Sequence, residues 1–224
     1  MNVLLILGAM PVNSPYLNYY TKFLEQKGIS YDICAWNRYE NKYTTQSNLF
    51  VFDSKGRSGR VKKVFDYFRY RNYLLRHINS HNYERVIVFT ITTAIFLTKT
   101  LTQNFNKKYI FDIRDYSSLL RLRFINKKLK RLLSMSYVNV ISSPGFKHWL
   151  PAENEYIISH NTASDIFVGE GYKAGLNNKI IILTIGALRD ANSNIALINS
   201  IRVKYKHIRN KRTRYSSIDT NYWI

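Results

Sequence analysis

The segment Asp112-Ile-Arg-Asp-Tyr-Ser117 holds two carboxylates on either side of a guanidinium. Carboxylates flanking a cation can orient the hydroxyl groups of a ligand, or shift one another's ionisation far enough to move a proton. Asp112, Arg114 and Asp115 are therefore the catalytic candidates. The same residues admit a structural use, with Asp112 capping a helix or pairing with Arg114 to steady the loop, since perturbed charges at strand ends mark sites only statistically.

Other motifs exclude chemistry. Gly8 ends the first apolar run and lets backbone approach a ligand, but a complete Gly-x-Gly-x-x-Gly fingerprint is absent, which disfavours NAD. The loop Lys55-Gly-Arg-Ser-Gly59 lacks the Gly-Lys-Ser/Thr ending of a P-loop and reads as a solvated turn. His77 and His81 stand one helical turn apart near a helix end without a third ligand in register, and no Asp-x-Asp occurs. Neither a metal nor any other cofactor is expected.

Strand-like runs at 2–8, 30–35, 49–53, 85–90, 108–113, 137–142 and 155–159 must position these residues. Helix-like stretches at 14–27, 59–80, 92–104, 118–135 and 145–150 alternate with them. Ser14-Pro15 reads as a helix N-cap followed by Pro, and Gly28 as a C-terminal cap. This alternation predicts an α/β fold, a Rossmann-like parallel sheet with helices on both faces. Ligands then belong at the C-terminal ends of the strands, in the loops 8–14, 90–93, 112–117 and 142–145.

The chain has 224 residues, 46% of them hydrophobic, enough for a sizeable core. One cysteine, Cys34, excludes a disulfide framework and fits a reducing compartment. Asn2 precedes the first apolar run where a secretory signal would carry a basic residue, and the near-apolar run 86–98 is too short to span a bilayer. Lys and Arg exceed Asp and Glu by 34 to 14, a formal charge of +20, which draws polyanions at long range. Arg121, Arg123, Lys127, Lys128, Lys130 and Arg131 interleave with apolar residues into an amphipathic stretch suited to an anionic membrane surface. The stretch 57–76 carries a second set of basic residues among aromatic and aliphatic ones. Both stretches also suit helices that cover a sheet with their charges solvated. Nucleic acid is the less favoured partner, because no nucleic-acid motif is present.

The Gly-ended first strand, Tyr109-Ile-Phe-Asp-Ile-Arg-Asp-Tyr-Ser117, Val138-Asn-Val-Ile-Ser-Ser-Pro-Gly-Phe146 and Tyr156-Ile-Ile-Ser-His-Asn161 together resemble bacterial GT-B glycosyltransferases. More narrowly, they resemble the group-1 type that builds capsular, lipopolysaccharide or exopolysaccharide repeat units. The resemblance implies an acceptor-binding domain over 1–160, a linker over 161–178 and the start of a donor-binding domain over 179–201. Gly8, Asn13, Thr90, Ser142 and Ser143 would face a glycan or lipid-linked acceptor, and Asp112, Arg114 and Asp115 the transferred sugar or the acceptor. Gly186 and Arg189 would open the loop that holds the phosphates of a nucleotide-sugar donor. The location it implies is cytoplasmic, peripheral on the inner face of the cytoplasmic membrane.

The sequence departs from that family after Ile201, where 202–214 is strongly basic and the end is rich in Ser, Thr and Tyr. A complete donor domain would need roughly a hundred or more further residues. The expectation is a chain truncated early in its donor domain, inactive alone, with a disordered tail over 202–224. The alternative is a non-catalytic basic module that binds anionic membrane or nucleic acid.

Overall fold

A computed structural model describes residues 1–55 and 59–160, together with the single helical residue Asn199. Residues 1–160 lie within one compact unit, Met1–Val168. Its strands are β1 (Asn2–Ile6), β2 (Ser30–Asn37), β3 (Leu49–Asp53), β4 (Arg85–Phe89), β5 (Tyr109–Ile113), β6 (Val138–Ile141) and β7 (Ile157–Ile158). They form one sheet in the order β3-β2-β1-β4-β5-β6-β7, and every neighbouring pair is parallel. The α-helices are α1 (Leu17–Gln26), α2 (Arg60–Ser80), α3 (Ile91–Phe96), α4 (Thr98–Asn104) and α5 (Arg123–Met135). The expected α/β class, with a Rossmann-like parallel sheet, is the observed one.

Both faces of the sheet are apolar because side chains alternate along a strand. Leu4, Ile6, Cys34, Trp36, Val86 and Val88 pack in one core with residues of α2 to α5, among them Tyr70, Leu74, Leu101 and Leu129. Val3, Leu5, Leu7, Ile33, Ile87 and Phe89 face the other way, onto Leu17 and Leu24 of α1. Leu4, Leu5 and Ile6 are wholly buried, and each such side chain contributes about 1.5–3 kcal/mol relative to exposure. Tyr70 ties α2 to the sheet, its hydroxyl donating to the Leu7 carbonyl at 2.5 Å.

Gly28 performs as expected. At φ +61° it closes α1, its N–H donating to Glu25 O while Ile29 N–H reaches Leu24 O. That pair of bonds is the Schellman termination, which favours glycine in the left-handed region.

The starts of other helices differ from expectation. Ser14 is buried rather than an N-cap: its Oγ accepts from the Tyr16 hydroxyl at 3.3 Å, its carbonyl takes the Leu17 N–H, and α1 begins at Leu17. The stretch 92–104 divides into α3 and α4 at Leu97, where the Thr98 hydroxyl donates back to Ile95 O at 2.7 Å. Such back-bonding competes with the helical ladder. The stretch 118–135 divides at Leu122, whose ψ of 121° is extended, into a 3-10 turn Ser118–Arg121 and α5. Residues 145–150 give way to a 3-10 turn over Pro144–His148, capped by Ser143.

The apolar face that α5 offers in sequence to a membrane is used in the core. Ile125, Leu129, Leu132 and Leu133 are buried against the sheet. Arg121, Arg123, Lys127, Lys128, Lys130 and Arg131 all remain exposed, as do Leu122 and Phe124. The linker 161–178, the donor-domain start 179–201 apart from Asn199, and the tail 202–224 lie outside the described residues, with Gly186 and Arg189 among them.

Candidate functional site

Strand order reverses its direction of growth between β1 and β4, because β2 and β3 lie on one side of β1 while β4 to β7 lie on the other. In open parallel sheets a crevice forms beyond the C-terminal strand ends at this switch point. Gly8 follows β1 and Thr90 follows β4, so the two stand across it. A Cβ on Gly8 would lie 3.2 Å from Thr93 Oγ1, 3.3 Å from Thr90 Oγ1 and 3.5 Å from Arg38 Nη2. A side chain there would crowd these groups, so close approach rather than its own φ favours glycine.

Thr90 is held at φ 71°, a region that a β-branched residue rarely occupies and that costs on the order of 1–3 kcal/mol. Its hydroxyl lies 3.2 Å from that of Thr93. Asn13 stands at the rim of the same loop set, its Oδ1 accepting from Asn41 Nδ2 at 2.8 Å. Asn41 N–H in turn donates to Asn37 Oδ1 at 2.8 Å, so the amide row continues onto the end of β2. Arg38, Asn37 and Asn41 were not legible as site residues in the sequence. The available signal was a polar run directly after the buried strand segment Cys34-Ala-Trp36.

Asp112 and Arg114 sit at the end of β5 and are buried together. Arg114 Nη2 donates to Asp112 Oδ2 at 2.6 Å, and Nε lies 2.6 Å from Oδ1 as an ion pair. The latter contact is not aligned as a hydrogen bond. The Tyr20 hydroxyl donates to Asp112 Oδ2 at 2.6 Å, and Arg114 Nη1 reaches the carbonyl of Ser159 at 2.8 Å. Tyr16 lies beneath the guanidinium, 4.9 Å from ring centroid to Cζ, and Tyr16 and Tyr20 both pack on Phe89.

Burial pushes the Asp112 carboxyl above its ordinary value, against the pull of Arg114 and the Tyr20 hydroxyl. Burial also works against the charge on Arg114, but Asp112 outweighs it and holds the guanidinium more firmly protonated than usual. Burial and the neighbouring Asp112 charge push the Tyr20 hydroxyl well up. Asp112 and Arg114 thus face each other and Tyr20 rather than open solvent.

Asp115 has a different setting. It is exposed, next to an exposed Tyr116 whose ring meets Trp149 edge-on at 5.2 Å. Thr92 Oγ1 lies 3.2 Å from Ser117 Oγ and joins the first turn of α3 to the loop after β5. Ser142 is buried at the end of β6. Ser143 is half-buried and uses its Oγ to accept the Gly145 N–H at 3.2 Å. The structure therefore brings Gly8 and Thr90 together, joins Asp112 to Arg114, and leaves Asp115 and the two serines on neighbouring loops.

Among the described residues no group of His, Cys, Asp and Glu is arranged to hold a metal. His77 Nε2 lies 2.7 Å from the Tyr83 hydroxyl, and His81 Nδ1 lies 3.0 Å from the His77 carbonyl. No helix among the described residues is long and apolar enough to cross a membrane.

No family model matches the chain, and no curated protein matches it. Among solved structures, UDP-N-acetylglucosamine 2-epimerase from Rickettsia bellii is similar at 12% identity and a TM-score of 0.39, over 70% of this chain and 44% of that one. The chain thus spans less than half the length of that structure.

Proposed function

We propose that this chain carries the acceptor-binding half of a glycosyltransferase that moves a sugar from a nucleotide-sugar to a glycan or lipid-linked acceptor in cell-surface polysaccharide synthesis. One observation carries the reading: a polar cluster at the switch point of a fully parallel sheet, where the half-exposed Thr90 packs against Gly8. Strained backbone and a closely packed glycine cluster at sites where a ligand approaches the chain. The exposed Asp115 precedes Tyr116, whose ring meets Trp149, and these residues add what a sugar needs, a carboxylate for hydroxyl groups and aromatic surface for its apolar face.

In this reading the buried Asp112 and Arg114 are positioning residues. Arg114 joins the end of β5 to the backbone at Ser159, where the resemblance places the exit towards the donor half. Asp115 is the carboxylate left to touch the acceptor or the transferred sugar. The donor's diphosphate would be held by residues beyond 160, Gly186 and Arg189 among them. The enzyme works at the inner face of the cytoplasmic membrane, where its cationic helices meet anionic lipid.

Calorimetry on the purified chain tests the reading. A prenyl diphosphate-linked monosaccharide is expected to bind saturably, and Asp115→Asn to weaken it roughly tenfold, as loss of a charged hydrogen-bond partner does. UDP- and GDP-sugars offered alone are expected to bind far more weakly. Absence of saturable binding by any sugar-bearing ligand would overturn the proposal.

A further inference from the structure

Arg38 follows β2 directly and reaches the switch point from the side. Its Cζ lies 4.3 Å from the Trp36 ring centroid and 5.4 Å from that of Tyr67, and its Nη2 donates to the Tyr67 hydroxyl at 3.3 Å. Both rings are themselves fixed. The Trp36 indole N–H donates to Ser54 O at 2.7 Å, and Tyr67 stacks on Phe96 with centroids 5.1 Å apart and planes within 8°. The guanidinium is held in place before any ligand arrives, which removes much of the ordering cost of binding.

Its donors are largely unused. Among the described residues no carboxylate forms an ion pair with Arg38, and its buried Nε–H finds no acceptor. An arginine offers five N–H donors, and the one bond to Tyr67 uses one of them. A pinned cation beside a desolvated donor is unfavourable unless an acceptor completes it. Elsewhere in this unit the buried arginine has such an acceptor, since Arg114 has Asp112.

The surroundings of Arg38 point to the chemistry of the missing acceptor. Its Nη2 and the hydroxyls of Thr90 and Thr93 converge within 3.2–3.5 Å of the position a Cβ on Gly8 would take, which glycine leaves free. Thr90 is half-exposed, whereas Thr93 is buried and positions the Thr90 hydroxyl through their 3.2 Å contact. We propose that Arg38 and Thr90, with Thr93 positioning the latter, form an oxyanion subsite over Gly8 that takes a phosphate group of the ligand. A planar carboxylate would occupy the guanidinium fork alone, whereas a phosphate presents oxygens to fork and hydroxyl at once. The inference rests on the reading of this crevice as the binding site. Phosphate chemistry is shared by nucleotide sugars and by lipid-linked acceptors.

Calorimetry with inorganic pyrophosphate on the full chain is the first test. Arg38→Gln should weaken binding about 10- to 100-fold, and Arg38→Lys, which keeps the charge but loses the fork, should recover only part of it. Thr90→Val should weaken it less. Lys27→Gln, at the opposite end of the sheet, should leave it unchanged, and a thermal melt confirms that each variant is folded. Equal binding by Arg38→Gln and the parent overturns the subsite, and so does equal weakening by Lys27→Gln, which would show diffuse attraction to a basic protein. UDP and farnesyl diphosphate then separate the sources: whichever weakens in Arg38→Gln is the class held, and indifference of both to Arg38 overturns the proposal. Pyrophosphate binding that follows Arg38 while no sugar-bearing ligand binds would leave the subsite standing without the glycosyltransferase reading. Acceptor binding that survives intact in Arg38→Gln would remove the subsite alone.

Discussion

Arg114 holds Asp112 through two of its nitrogens and the carbonyl of Ser159 through a third. The pair couples the end of β5 to the end of β7 across β6. Both members are almost wholly buried, Asp112 at 0% and Arg114 at 4% exposure, so removing either strands the other's charge in low dielectric. Arg114→Met is expected to destabilise the domain by about 3–5 kcal/mol, and Asp112→Asn by a comparable amount. The double variant should lose less than the sum of the two. Urea denaturation of the four proteins decides it: additive losses, each below about 1 kcal/mol, would show that the pair is not coupled.

A second buried network predicts a pH dependence. The Tyr83 hydroxyl donates to Asp32 Oδ2 at 2.5 Å, so the short contact to His77 Nε2 places the imidazole proton on that nitrogen. Burial, and secondarily the neighbouring His81, lower the His77 pKa against the weaker pull of Asp32. Above the unfolded value of about 6.5 the ring is neutral in both states and the network is intact. As pH falls through about 6.5 towards the lowered folded value, the unfolded chain takes up the proton first and stability falls. The urea midpoint should therefore drop between about pH 7 and pH 5.5, and His77→Gln should flatten that slope. An unchanged slope in the variant would place the titrating group elsewhere.

Much of the fold was legible because both faces of this sheet are buried. Continuous apolar runs such as Val3 to Leu7 and Val86 to Phe89 mark central parallel strands without needing alternation. Interruptions inside helices were not, since the break at Leu97 depends on where the Thr98 hydroxyl turns, and that is a three-dimensional choice. Asp112 and Arg114 were legible as an interacting pair, but their burial was not, because it depends on Tyr16 and Tyr20 arriving from α1. Arg38 escaped notice for a similar reason. Its aromatic cradle joins Trp36 to Tyr67, residues 31 positions apart on β2 and α2.

Thr90 offers a test of strain at the crevice. Glycine tolerates positive φ, so Thr90→Gly should relieve strain of about 1–3 kcal/mol, less about 0.5–1 kcal/mol for its greater unfolded freedom. The variant should melt no lower than the parent, while Thr90→Ala keeps the strained backbone, loses the hydroxyl and gains nothing. Thr90→Gly should also bind pyrophosphate less tightly. A glycine variant less stable than the alanine one would mean that the backbone at 90 is unstrained.

α2, α4 and α5 enclose a groove of about 790 Å³ whose lining includes Val64, Phe68 and Phe124, with Arg71, Lys99 and Lys127 among its cations. Phe68 is 48% and Phe124 59% exposed, and both line this groove with Lys127, Lys128 and Arg131 of the 121–131 stretch. The two basic stretches of the sequence thus come together on one face, and the apolar contact they offer is a line of aromatics from α2 and α5 rather than the buried stripe of α5. Each surface cation near anionic lipid is worth about 1 kcal/mol. Replacing Lys127, Lys128 and Arg131 with Gln should therefore weaken binding to phosphatidylglycerol vesicles on the order of a hundredfold, and raised salt should do the same. Phe68→Ser with Phe124→Ser should weaken it at constant charge, since aromatic insertion adds buried apolar area. Vesicle co-sedimentation reads both effects. Binding that ignores the phenylalanines and is matched by a single-stranded oligonucleotide would identify this face as a general polyanion surface instead.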